Sequence, residues 1–203
     1  MLERIGKLFT ENKNREAFFK IVGRHWPMGS AEYRLIEKAY DAAKNAFRHT
    51  NREGGERYFE HLRGVALIIL EHLRCRDHEV IIASLLHDIV EDRPEWTHER
   101  VSFEFSQSIS ELVWWVTKPP VSDYDDDKEA RNRAYHNNLG RAPRKALIVK
   151  LADRLHNLMT LWDCTPEKRL RKVLETQDYY LHLAEKEMLL IHEIEDALRK
   201  LLA

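Results

Sequence analysis

Glycine and proline are scarce in this chain, 7 and 6 among 203 residues, and period-two alternation of apolar and polar side chains is scarce as well. Few breakers and little strand patterning exclude a sheet-rich domain and leave helix as the main element. The two cysteines, Cys75 and Cys164, give neither a metal-type spacing nor a disulfide framework, so a reducing cytosol is the natural home and a cytoplasmic location is expected. No apolar run approaches the ~20 residues needed to cross a bilayer. The opening Met1-Leu2-Glu3-Arg4-Ile5 threads charges through its apolar residues, which argues against a secretion signal. Charge of one sign is missing too: 33 basic residues stand against 34 acidic ones, without the global field that nucleic-acid binders show. There is no internal repeat and no low-complexity tract.

What is present is helical periodicity. The length fits one domain with a substantial core, and an all-α bundle of about eight to ten helices is expected. Residues 1–29 read as an N-terminal helical cap, since Phe18, Ile21, Val22 and Trp26 recur at helical spacing. Ser30 is placed to cap the next helix, the glycine-containing stretch 50–58 is a loop, and Tyr58 to Arg74 resumes the pattern. Thr97 and Pro166 mark two further helix starts. Residues 30–180 form the main body, and 181–203 a C-terminal packing helix whose apolar stripe, Leu181 to Leu201, serves packing or homo-oligomerisation.

The most informative stretch is Leu85-Leu86-His87-Asp88-Ile89-Val90-Glu91-Asp92, preceded by the core-like Val80-Ile81-Ile82-Ala83. On one continuous helix His87 neighbours Glu91, and Asp88 neighbours both Glu91 and Asp92. Three carboxylates and an imidazole on one patch repel and lose hydration unless a counter-ion joins them. A divalent cation held by His87 and Asp88 answers that need, with Glu91 and Asp92 left to handle a water. The alternative is an exposed acidic helix end with a satisfied histidine. Trp114 and Trp115 cannot point the same way on their helix, so one is expected in the core and the other at a surface.

A second stretch, Ala146 to Leu161, is apolar on nearly all sides at first and then carries Asp153, Asn157 and Thr160 on one stripe. A buried Asp153 requires a partner, and the proposed cation is the candidate. His61 falls in the first turn of its helix, where a histidine is ordinarily a surface group. The polar segment 128–139, with Arg131 and Arg133, lies between apolar helices and is read either as a solvated face or as a flap turning an arginine inward.

The order His61, His87-Asp88, Asp153 resembles the HD superfamily of metal-dependent phosphohydrolases, an all-α helical bundle in which those four positions hold one divalent ion. Two imidazoles and two carboxylates suit Mn²⁺ or Fe²⁺, and the spacing excludes neither Zn²⁺ nor Mg²⁺. A closer resemblance rests on Arg52, Gly55, Tyr58, His61 and Val65-Ala66, on His87 to Asp92, on Leu112-Val113, Val116-Thr117-Lys118, and on Lys150 to Asn157 with Thr160. Together these look like the hydrolase domain of the Rel/SpoT stringent-response enzymes from about residue 30 to about 180. As little remains outside that span, the chain is most similar to the stand-alone small alarmone hydrolases.

The resemblance implies that His61, His87, Asp88 and Asp153 bind Mn²⁺, that Glu91 and Asp92 orient and deprotonate the attacking water, and that Arg52 meets phosphate charge. Asn157 and Thr160 would hold the ribose and phosphate side of a nucleotide, and Lys118 or Arg133 would offset charge on the leaving group. The implied reaction removes pyrophosphate from the 3′ position of guanosine tetra- or pentaphosphate. Other readings are a phosphohydrolase for an adenosine alarmone or a 2′-phosphorylated dinucleotide, and a nucleotide sensor without turnover. The chain departs from the family pattern at Glu53, commonly basic, at Leu62, commonly proline, and at Met159, often basic.

Overall fold

The computed structural model describes residues 1–202. Among them the only β pairing is an isolated antiparallel bridge between Asn51 and Arg57, and the rest of the regular structure is helix. The elements are α1 (Leu2–Glu11), α2 (Arg15–Val22), α3 (Ala31–Ala46), α4 (Tyr58–Leu67), α5 (His78–Leu86), α6 (Ile89–Asp92) and α7 (His98–Glu104). They continue with α8 (Gln107–Val116), α9 (Lys128–Leu139), α10 (Arg144–Met159), α11 (Pro166–Glu175), α12 (Leu181–Glu187) and α13 (Ile191–Leu202). Segments outnumber the helices expected from the sequence for local reasons. A π turn over Ile68–His72 prolongs α4, another over Thr176–Tyr180 joins α11 to α12, and the acidic octet is split.

Helix starts follow side-chain chemistry. Ser30, Thr97 and Thr165 each accept a hydrogen bond from a backbone N–H of the first turn, satisfying one of the donors that a helix leaves orphaned. At the other end, Met188 takes φ 51° after α12 and lies 83 % exposed, so it leaves the apolar stripe assigned to it, while Leu189 and Leu190 turn into the core.

α5 is the centre of the core, because Val80 through Leu86 are all buried. It packs on α3, α4, α8 and α10, and α10 in turn packs on α4 and α13. α10 is as apolar as its sequence suggests, with Ala146, Leu147, Val149, Leu151, Ala152 and Leu155 buried. These three central helices meet with α4 carrying His61, the end of α5 carrying His87 and α10 carrying Asp153. The bundle thus brings three distant stretches of chain to one point.

One local expectation is corrected. His87 and Glu91 do not share a helix face, because α5 stops at Leu86 and α6 restarts at Ile89, with Asp88 at φ −100°, ψ −1°. The His87 ring takes the Ser84 carbonyl through Nδ1 at 2.8 Å, competing for an acceptor that a continuing helix would use. The tryptophan expectation holds in a weaker form: Trp114 is 48 % exposed, while Trp115 is half-buried and packed against the core rather than inside it, the two rings meeting edge to face at 5.0 Å.

Candidate functional site

Four side-chain atoms converge where α4, α5 and α10 meet. His61 Nε2 lies 3.3 Å from Asp153 Oδ1 and 3.7 Å from Asp88 Oδ2, while His87 Nε2 lies 3.1 Å from Asp88 Oδ2 and 3.6 Å from Asp153 Oδ1. Ligands bonded at about 2.0–2.2 Å to one small divalent ion stand roughly 3.0–3.5 Å apart, so these edges fit a coordination polyhedron. His61, His87 and Asp88 alone offer donor atoms all within 4.8 Å of one another. Of the two imidazoles in that group, the one of His87 has its Nε2 buried with no hydrogen-bond partner among the described residues. An imidazole nitrogen aimed into an acidic nook and left unpaired is what a cation would satisfy.

The surroundings fix these donors. Tyr58 Oη donates to Asp88 Oδ2 at 2.7 Å; Asn157 Nδ2 donates to Asp153 Oδ1 at 2.6 Å, and Lys150 Nζ lies 3.0 Å from Asp153 Oδ2. His61 Nδ1 meets His156 Nδ1 at 3.0 Å. For His61 Nε2 to offer a lone pair, Nδ1 must carry the proton and donate it to His156, whose own proton then sits on Nε2. The His156 ring fits only because residue 64 is glycine: a Cβ there would stand 2.2 Å from His156 Nε2. Phe9, His156, His61 and His87 follow one another with ring centroids 4.7, 4.9 and 5.3 Å apart.

Electrostatics follow from this crowding. Burial opposes charge on His87, but Asp88 and Asp153 outweigh it and push its pKa up to about 10. Burial keeps His61 and His156 low and therefore neutral. Burial by itself would raise both aspartates, yet Lys150 and the imidazoles hold Asp153, and His87 above all holds Asp88, below the usual carboxylate range. Glu91 and Asp92 go the other way, raised by desolvation and by the Asp88 charge.

The cluster forms the floor of a cavity of about 420 Å³ lined by Arg52, Glu91, Lys118, Asn157 and Thr160 among others. Arg52 donates through Nη2 to Asn157 Oδ1 at 2.7 Å and through Nη1 to Thr160 Oγ1 at 2.9 Å, so three residues singled out in the sequence bind one another. The tight loop behind Arg52 depends on Gly55 at φ 81°, a conformation that side chains rarely adopt. Glu91 Oε2 accepts the Lys118 backbone N–H at 3.0 Å, and the Glu91 carboxylate faces the cavity. Asp92 is beside Glu91 but does not line the cavity, and Glu53 is bound to Lys168 across its mouth at 2.6 Å.

Arg133 stands outside: its side chain is 62 % exposed, 4.0 Å from Glu129, and it lines a neighbouring groove. α9 is thus no flap carrying Arg133 over the floor. What sequence reasoning missed is the cationic wall as a whole, of which it singled out only Lys118. Glu175 Oε1 or Oε2 is approached by Lys172 at 3.0 Å, Arg154 at 3.2 Å, His136 at 3.4 Å and Lys118 at 3.5 Å. Lys150 and Arg154 carried a signal, charges flanking Asp153 inside an apolar run; Glu175 carried none.

Fold and site together define an all-α domain with a buried His/Asp cluster beneath a basic cavity. The sequence profile described as the HD domain matches residues 39–188, and the chain belongs to that family. It is 34 % identical over 172 residues to the bifunctional (p)ppGpp synthase/hydrolase SpoT of Escherichia coli, covering 84 % of this chain and 24 % of that protein. A guanosine-3′,5′-bis(diphosphate) 3′-pyrophosphohydrolase of Aquifex aeolicus is 36 % identical over 80 % of this chain and 22 % of its own length. The chain therefore spans about a quarter of the length of these curated relatives. Among solved structures, a metazoan ortholog of SpoT, described as hydrolysing ppGpp, superposes with TM-score 0.74 at 25 % identity, covering 86 % of this chain and 98 % of that one.

Proposed function

We propose that this chain is a Mn²⁺-dependent hydrolase of guanosine 3′-diphosphate 5′-di- or triphosphate, yielding GDP or GTP and pyrophosphate. The observation that carries this reading is the convergence of two imidazole and two carboxylate donors, one nitrogen unpaired, beneath a cavity walled by cations. The names of the relatives supply the substrate class. His61, His87, Asp88 and Asp153 would hold the ion, which when bound lowers the pKa of a water and neutralises phosphate charge.

The chain's own residues do the rest. Glu91, with Asp92 adjacent, accepts a proton from the attacking water; its raised pKa moves it toward neutrality, where a general base works best. Water oxygen adds to the phosphorus bonded to the ribose 3′ oxygen, that P–O bond breaks, and the departing 3′ oxygen is protonated from solvent, balancing the proton taken by Glu91, as pyrophosphate is released. Arg52, held by Asn157 and Thr160, orients the nucleotide and offsets phosphate charge, and Lys118, which lines the same cavity, adds to that positive charge.

The test is product analysis with a nucleotide panel and Mn²⁺, against a chelator control. Release of pyrophosphate from the guanosine alarmone is expected. Activity confined to an adenosine alarmone or a 2′-phosphorylated dinucleotide overturns the substrate assignment, and binding of the alarmone without turnover makes the chain a sensor.

A further inference from the structure

A second groove, of about 650 Å³, opens between α9 and α11 and joins the catalytic cavity across Lys118 and Lys172, which line both. Lys118, Lys128, Arg131, Arg133, Arg171 and Lys172 border it. Three carboxylates share it, but Glu129 answers Arg133 and Glu175 is already surrounded by cations. Among the described residues, Lys128, Arg131 and Arg171 have no carboxylate at ion-pair distance, and only Asp178 stands against them. His136, 7 % exposed and stacked on Tyr179 at 3.9 Å, borders the groove with Nδ1 unpaired among the described residues, and Arg131 Nε is unpaired as well. The Arg131 Nε–H, buried and without an acceptor among the described residues, and the surplus cations beside it call for a multiply charged acceptor.

The cations form a path. It runs from Lys150 beside Asp153, through Arg154, Lys118 and Lys172 around Glu175, to Arg171 and Arg131. Guanidinium forks match phosphate oxygens two at a time, and a chain of phosphates is the ligand that can answer several cations in a row. We propose that this groove is a subsite for the terminal phosphate of a nucleoside 5′-triphosphate, so that the chain prefers the guanosine pentaphosphate to the tetraphosphate. The inference rests on the hydrolase reading above for its substrate, and it gives Arg133 a place at the edge of the far phosphates rather than at the leaving group.

The experiment compares kcat/KM for pentaphosphate and tetraphosphate, and, by calorimetry, the binding of GTP and GDP, in the wild-type chain and in Arg131→Ala/Arg171→Ala. Expected are a wild-type preference of about tenfold for the longer substrate, the scale of a lost charge-assisted hydrogen bond, a similar preference for GTP over GDP, and loss of both preferences in the variant. Equal affinity for GTP and GDP in the wild type overturns the proposal. So does a variant that keeps the preference, or one in which both substrates weaken together, since that is diffuse steering rather than a subsite. GTP and GDP differ only in the terminal phosphate and need no turnover. If neither alarmone is hydrolysed while GTP still outbinds GDP, the hydrolase reading falls and the subsite stands.

Discussion

Gly64→Ala puts the support of the donor cluster to the most direct test. The added methyl would stand 2.2 Å from His156 Nε2 and 2.4 Å from Cδ2, so the ring must withdraw by about 1 Å to reach ordinary contact. The ring is buried and packed between Phe9 and His61, with a groove of about 390 Å³ lined by Gly64 and His156 beside it, so its withdrawal costs mainly lost contacts with those two rings. Overpacking of this kind costs about 1–3 kcal/mol, and the better helix propensity of alanine returns about 1 kcal/mol. The net loss is roughly 0–2 kcal/mol, a Tm drop of a few degrees in a chain of this size. The larger effect falls on His61, which loses a well-placed acceptor for its Nδ1–H; such losses weaken metal affinity by about 10–100-fold. Mn²⁺ titration by calorimetry, with thermal unfolding in chelator as the control, separates the two. Adding His156→Ala to Gly64→Ala removes the clash but leaves a void between Phe9 and His61, so stability should stay below wild type while Mn²⁺ affinity stays low. An affinity of Gly64→Ala within twofold of wild type would refute the argument.

Other outcomes follow from the same geometry. Glu91→Gln should keep nucleotide binding and lose about 100-fold in kcat, the usual scale for a general base; a rapid-quench assay reads it, and full activity contradicts the role given to Glu91, whose carboxylate lines the cavity. Tyr58→Phe removes the hydroxyl that donates to Asp88 and should weaken Mn²⁺ binding by about tenfold with little change in fold, checked by metal titration and circular dichroism. For Glu175, burial would raise its pKa, but His136, Arg154, Lys172 and Lys118 hold it far below the carboxylate range. A depressed folded-state pKa adds stability that is complete above the unfolded value near 4.5 and declines as pH falls below it. Glu175→Gln should therefore lower Tm at pH 7, by a stability loss of roughly 1–3 kcal/mol, and flatten the Tm profile between pH 5 and 3; an unchanged slope there counts against the network. Arg52→Ala should raise KM more than it lowers kcat, because it leaves Asn157 and Thr160 without their common partner.

The parts of this architecture that were legible in the sequence are those written in local chemistry. Ser30, Thr97 and Thr165-Pro166 announce helix starts because a cap satisfies donors within its own turn, and the apolar first half of α10 announces burial by composition alone. The convergence of His61, His87, Asp88 and Asp153 was reached through the family pattern rather than through periodicity, since no local rule brings residue 61 to residue 153. Local patterning misled at His87, where a side chain takes a carbonyl and ends the helix. It was silent about Glu175, whose four nitrogen-bearing neighbours come from α8's end, α9, α10 and α11. Long-range charge pairing leaves no period in the sequence that could be read.

The row of rings from Phe9 to His87 spans the molecule from its first helix to its innermost imidazole. A residue near the start of the chain therefore props the chemical centre from behind, although nothing in the cavity touches it. Evolutionary or engineered change in that opening helix acts on the grip of the donor cluster as a lever acts at a distance, and an N-terminal fusion or truncation is a way to adjust the centre without altering any of its own side chains.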